Sequence, residues 1–167
     1  TVTAPGQFRW VNAAGGNWSN AANWSANRVP TSEDDVFIDE PGTYTVVLDQ
    51  NAVIRRLVLG GTSGRQTLSL GNRSLTTATD SFVLANGTLL QGGGTINATG
   101  VYWTVSGDWA WSGGTWTGVG TTELTATASA SLTGTANKVL NDGRRVLNRG
   151  TVTVLGGGLV LANSTVA

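Results

Sequence analysis

The stretch "FVLANGTL" (82–89) recurs as "LVLANSTV" (159–166), with Val, Leu, Ala, Asn and Thr in matching places. Both copies run four apolar residues into an Asn, then a small residue and Thr, which reads as strand, corner, strand. A second echo sits beside each copy. "GTLLQGGGTI" (87–96) is matched by "GTVTVLGGG" (150–158), and "WSGGTWTGVGTT" (111–122) keeps the same Gly-Gly-then-strand rhythm. Self-similarity across short strands points to a solenoid, in which each coil buries its face only by stacking on its neighbours. A β-sandwich also supplies regular strands and turns, but it does not require its sequence to recur.

Outward from these repeats, the chain from Asp35 onward is a string of short alternating runs. "DVFID" (35–39), "TYTVVL" (43–48), "VIRRLVL" (53–59), "QTLSL" (66–70), "SFVLA" (81–85), "VYWTVS" (101–106), "TTELT" (121–125) and "SASLT" (129–133) are examples. Each is bounded by Gly, Asn, Asp or Thr. No segment holds apolar residues at helical spacing for three turns. The composition agrees, with 24 Gly, 3 Pro and 40% hydrophobic residues in 167. Gly and β-branched residues disfavour helices, whereas Thr, Val and aromatic residues suit strands. The expected fold class is all-β, a parallel β-helix (β-solenoid).

Only 12% of residues are charged, and ten basic residues balance ten acidic ones. Without a basic face to neutralise phosphates, nucleic acid is not expected as a partner. A net charge of zero leaves self-association unopposed. No run of about 18 apolar residues provides a membrane span. Cys, His and Met are all absent. The usual ligands of zinc and copper, and the commonest nucleophile–base pairs, are therefore missing, and no cofactor is expected. A chain that starts at Thr1 reads as a processed or excised product.

The run 111–166 resembles the repeats of very large exported bacterial proteins, which read W-x-G-G-x-x-x-G-x-G-T-T and then L-x-x-R-x-L-x-N-x-G-T-V. The matching residues are Trp111, Gly113, Gly114, Gly118, Gly120, Leu140, Arg144, Leu147, Asn148, Gly150 and Val152. "GGNWSNAANWSANRVPTSEDDVFID" (15–39) is similar to the opening of autotransporter-like and adhesin-like surface regions. The resemblance implies a right-handed parallel β-helix and an extracellular or cell-surface setting, and it carries no catalytic residues.

The N-terminal stretch repeats Asn-Trp-Ser at Asn17 and Asn23. Together with Asn72, Asn86, Asn97 and Asn163 these satisfy the glycan acceptor pattern, although a chain rich in Asn, Ser and Thr generates such matches freely. A solenoid end exposes apolar interior and unpaired edges. An irregular segment over residues 1–34 carrying Trp10, Trp18 and Trp24 is therefore expected to cap the coils of 35–167. In "VYWTVSGDWAWSGGTW", Trp103 alternates with Val101 and Val105 and is expected inside. Trp109, Trp111 and Trp116 read either as an interior rung or as an exposed row for stacking on sugars.

Asp34, Asp35 and Asp39 belong to an acidic cluster that is a candidate calcium site, although its spacing fits neither common calcium loop. The remaining acids are scattered singly, so the paired carboxylates of a glycosidase are not apparent and no enzyme is expected. Thr-x-Thr runs occur at "TYT" (43–45), "TAT" (77–79), "TWT" (115–117), "TAT" (125–127) and "TVT" (151–153). Their spacing is too uneven for an ice-binding array, which needs a constant rung length. Finally, the second copy of the repeat falls at the very end of the chain, where the first continues into further strands. That places an open assembly edge at Leu159, Val160, Leu161 and Val166. The expected partners are copies of the same chain or the remainder of a longer one, with extracellular polysaccharide as a further candidate. The expected role is a structural or adhesive solenoid, either a module of a giant surface protein or a protomer stacking head to tail into a filament, and the alternative is a carbohydrate-binding module.

Overall fold

The computed structural model describes residues 6–167, which wind into stacked coils of three parallel sheets. Sheet I has eight strands, from Gly6–Arg9 and Asp34–Ile38 at one end to Arg144–Asn148 and Thr165–Val166 at the other. Sheet II has seven, from Gly16–Asn17 to Thr151–Val154, and sheet III has six, from Ala52–Ile54 to Leu159–Leu161. All named strand pairs are parallel, each strand bonding its counterpart in the preceding and following coil. Among the described residues the only helical element is one 3-10 turn, Ala21–Asn23.

Alternation along each strand sends every second side chain inward. In a parallel stack without slippage those side chains form columns. One runs Val46, Leu68, Leu89, Trp109, Ala130, Val152 through sheet II. Another runs Ala52, Leu75, Ile96, Trp116, Leu140, Leu161 through sheet III. Ile38, Leu59, Val83, Val105 and Leu124 continue the interior from sheet I. Coil length varies: paired residues stand 19 positions apart at Val105 and Leu124, and 24 apart at Leu59 and Val83. The corners absorb the difference, so register within the sheets is kept.

The two sequence echoes behave differently. Thr88 and Thr151 occupy one column of sheet II, through Asp108 and Ser129, so "GTLLQ" and "GTVTV" are the same side of two coils. "FVLANGTL" turns from sheet I into sheet II, whereas "LVLANSTV" turns from sheet III into sheet I. Their facing also differs. Val83 is buried beside Val105, while its sequence counterpart Val160 pairs with half-buried Val139 on the outside. The echo is thus a likeness of sequence at two corners rather than a shared position in the coil. The corners themselves differ: Asn163 adopts a φ of 54°, whereas Asn86 keeps negative φ and its side-chain amide donates to the Gly61 carbonyl.

The fifth coil carries four tryptophans, all buried: Trp103, Trp109, Trp111 and Trp116. Trp109 stacks on Trp111 with ring centroids 4.7 Å apart, and Trp103 meets Trp116 edge-on at 5.1 Å. Small neighbours make room, with Ser81 and Thr122 on either side of Trp103 and Ala130 after Trp109. The Gly-Gly of "WSGGTW" forms the adjoining corner. Gly114 sits at φ 95°, where an added Cβ would lie 2.5 Å from the Gly93 backbone. Close approach of consecutive corners, together with a left-handed backbone, requires glycine there.

The segment 1–34 is not separate from the coils as far as it is described. Gly6–Arg9 pairs in register with Asp34 to Phe37, and Gly16–Asn17 pairs with Val46 and Val47. The first coil therefore begins inside the segment expected to be a cap.

Candidate functional site: the two ends of the stack

At the N-terminal end the chain folds back over its own first strand. Trp10 and Trp24 form an antiparallel bridge. The Val11 N–H donates to the Asn23 carbonyl and the Ser25 N–H to the Arg9 carbonyl, both at 2.9 Å. These bonds occupy main-chain groups that a parallel coil would otherwise need. Asn12 and Asn23 complete the turn through side-chain bonds to each other and to the carbonyls of Gly15 and Asn17. Trp24 packs edge-on against both Trp10, at 5.0 Å, and Trp18, at 4.7 Å. Its indole N–H donates to the Trp18 carbonyl. All three rings are at most 2% exposed, so this end presents no apolar interior among the described residues.

Charge secures the same end. Arg28 forks onto Asp34 with bonds of 2.7 and 2.9 Å, and the N–H and hydroxyl of Thr31 reach the same carboxylate. Burial alone would push the Asp34 carboxyl up, but hydrogen bonds from Arg28 and Thr31, with the Arg28 charge, hold it below its ordinary 3.8. A carboxylate whose value is lowered by folding contributes stability above its unfolded value and loses it as the pH falls through the folded one. Acid titration followed by circular dichroism should therefore show stability declining below about pH 4, and Asp34→Asn should weaken that decline.

The C-terminal end is the opposite. Val152, Val154, Leu159, Leu161 and Val166 continue the inward columns, yet they are 39–59% exposed. Between them and the fifth-coil rings lies an apolar cavity of about 40 Å³, with Trp109 and Trp111 among its lining residues and Val152, Leu159 and Val166 on its outer side. Of the thirteen exposed large hydrophobic residues among those described, seven lie between Val152 and Val166. No charged side chain occurs anywhere in 150–167. The last strand of each sheet, like the first, has one paired side only, which leaves a row of main-chain groups facing outward. Leu159, Leu161 and Val166 stand on the inner side of this edge, and Val160 on its outer side, beside half-buried Val139.

Other expected sites are differently placed. Trp109, Trp111 and Trp116 are 3%, 1% and 0% exposed, so they form no surface row for sugars. Their strand parity sends all of them inward. The carboxylates expected to bind calcium face arginines instead. Asp34 is held by Arg28, Asp35 by both Arg55 and Arg56, and Asp39 by Arg9. Among the described residues, no three His, Cys, Asp or Glu side chains converge as metal ligands. Arg55 and Arg56 have no acidic neighbours in sequence; the stacking of coils brings them onto Asp35, two cations for one carboxylate. Beside them lies an open groove of about 470 Å³ that also meets Asp80 and Phe82. The Thr-x-Thr runs are spread over different sheets and a turn, and Thr77 is buried.

Buried polar residues are what a motif search misses. Arg144 is fully buried without a carboxylate. Its guanidinium donates to the carbonyls of Ala98, Val101 and Thr121 and to the Thr122 hydroxyl, and it lies 5.4 Å from the Trp116 ring. Burial lowers its pKa to about 10, which keeps it charged at neutral pH. Lys138 is also buried, with Nζ bonded to the carbonyls of Ala136 at 3.0 Å and Gly156 at 2.8 Å. Gln91 accepts from the Trp116 indole and donates to the Thr115 carbonyl. The signal was strand parity: Arg144 alternates with Val146, an inward residue. Among the described residues, no helix is long and apolar enough to cross a membrane.

Comparison with family models, with curated proteins and with solved structures finds no match to this chain.

Proposed function

We propose that this chain is a non-enzymatic structural solenoid, a stiff extracellular or cell-surface rod with a scaffolding or adhesive role. The observation that carries the reading is the unbroken stack: three parallel sheets run from coil to coil around one continuous apolar interior. Its stiffness comes from unbroken main-chain ladders between coils, and its outward strand residues are largely Thr, Ser and Asn.

The distribution of acids supports the same reading. Asp34, Asp35, Asp39, Asp108 and Glu123 are each paired with arginine, and Asp49 accepts from the N–H and hydroxyl of Ser19. Hydrolysis requires two carboxylates free to face a scissile bond. The test is incubation with a panel of soluble polysaccharides, reading reducing ends and tryptophan emission. No new reducing ends and no change in emission are expected, because every indole is buried. Sustained release of reducing ends would replace the reading with an enzyme. Saturable quenching by a glycan would replace it with a carbohydrate-binding module.

A further inference from the structure

The adhesive role proposed above calls for a ligand, and the flank of the stack, away from both ends, carries a site for one. Resting on that role, we infer that the groove beside Arg55 and Arg56 binds a uronic acid residue of an extracellular polysaccharide.

The arginines supply the charge. Arg55 forms the corner after Ala52–Ile54, and Arg56 opens the next strand of sheet I, so two cations reach the same side of the coil. Both bond one oxygen of buried Asp35, which leaves one positive charge unmatched. Each guanidinium spends a single Nη2 group there. Among the described residues neither Nη1 bonds to the protein, and both Nε groups are buried without a partner. The two side chains are 32% and 34% exposed, so a ligand can reach them. The N–H fork of a guanidinium matches the two oxygens of a carboxylate. The groove wall is also fixed in place: the Ala78 and Thr79 N–H groups and the Thr79 hydroxyl all donate to the Arg55 carbonyl.

The rest of the groove selects among anions. Its volume of about 470 Å³ is that of a small-molecule site and far exceeds a bare oxyanion. Asp80 also lines it. One oxygen of Asp80 accepts from the Tyr102 N–H at 2.8 Å, and the other has no bond among the described residues. A free phosphate or sulfate would bring two negative charges against that carboxylate, whereas a sugar hydroxyl donates to it. Half-buried Phe82 adds an aromatic wall on which the C–H face of a pyranose can stack. A single carboxylate, several hydroxyls and one apolar ring face together describe a uronate. A neutral sugar lacks the group that answers the unmatched cation.

Calorimetric titration of the 167-residue chain with trigalacturonate, its methyl ester and sodium sulfate tests this. Trigalacturonate should bind saturably, and the uncharged ester more weakly by about tenfold or more. Sulfate at the same concentration should not displace trigalacturonate. Ala78→Glu sets a carboxylate at an exposed position of the groove and should weaken trigalacturonate by about tenfold or more. Arg56→Gln, which leaves Arg55 on Asp35, should do the same. Arg73→Ala removes an exposed arginine outside the groove and should bind as the parent does. Circular dichroism verifies that each variant is folded. Absence of saturable binding by trigalacturonate would overturn the inference, as would equal binding of the ester or of sulfate. Full binding by folded Ala78→Glu, or an equal loss in Arg73→Ala, would overturn it too. No indole lines the groove, so tryptophan emission should stay constant throughout. Each of these failures leaves the rod reading standing, whereas release of reducing ends would overturn that reading instead.

Discussion

Arg144→Ala should destabilise the chain by about 3 kcal/mol or more in urea denaturation, the largest loss expected from any single charged residue. The guanidinium donates to the Ala98, Val101 and Thr121 carbonyls in the interior corner, and it also holds the Thr122 hydroxyl. Removing it leaves these acceptors dry and opens a cavity against Trp116. Arg144→Lys keeps the charge but cannot fork onto acceptors in several directions, so it should recover only part of the loss. Arg145, the next residue, points outward, and Arg145→Ala should change stability by less than about 0.5 kcal/mol. A pair of variants at adjacent positions thus separates burial from charge. Equal effects at 144 and 145 would mean that the inward placement of Arg144 is wrong.

Trp24→Ala should cost about 3 to 5 kcal/mol and expose the first coil. Trp24 is the ring that Trp10 and Trp18 share, and its indole N–H is bonded to the Trp18 carbonyl. Its loss uncovers both neighbours at once. Besides the fall in urea midpoint, acrylamide should quench the remaining tryptophans more strongly in the variant, because Trp10 and Trp18 become accessible. Trp24→Phe retains an apolar ring but no donor, and it should fall between the two. If Trp24→Ala were no more accessible to acrylamide than the parent, the three rings would not be closing that end.

These two residues also show what could be read from the chain beforehand. Parity within strands was legible: "VYWTVS" and "DWAW" place Trp103, Trp109 and Trp111 on one side, and that side is the interior. The parallel solenoid followed from recurrence of short strands. What recurrence did not convey was equivalence. "FVLAN" and "LVLAN" share a sequence, yet they occupy different sheets with opposite facing at Val83 and Val160. Asn can serve a corner through positive φ, as at Asn163, or through a side-chain bond, as at Asn86, so local similarity does not fix position in the turn.

Pairing between coils was the second thing hidden. Arg55 and Arg56 are some twenty positions from Asp35, and Arg149 is 26 from Glu123, distances set by coil length and corner insertions rather than by any motif. The acidic cluster at 33–40 looked like a cation site because Arg9, Arg55 and Arg56 reach it from distant segments, and only Arg28 lies close to it in sequence. The closing of the N-terminal end was only partly visible. The large rings announced an unusual segment, but its antiparallel return over Arg9 and Val11 depends on hydrogen bonds that composition does not reveal.

The central claim is that three tryptophans cover the apolar interior at the first coil, whereas in these 167 residues the interior side chains of the last coil are exposed. Amide hydrogen exchange, followed by peptide mass spectrometry at a low and a high protein concentration, tests it most directly. The predicted result is slow exchange across Gly6 to Trp24 at both concentrations. Thr151 to Val166, whose inward side chains are 39–59% exposed, should exchange faster at both concentrations. Faster exchange at Gly6 to Trp24 than at Thr151 to Val166 in the dilute sample would contradict the account.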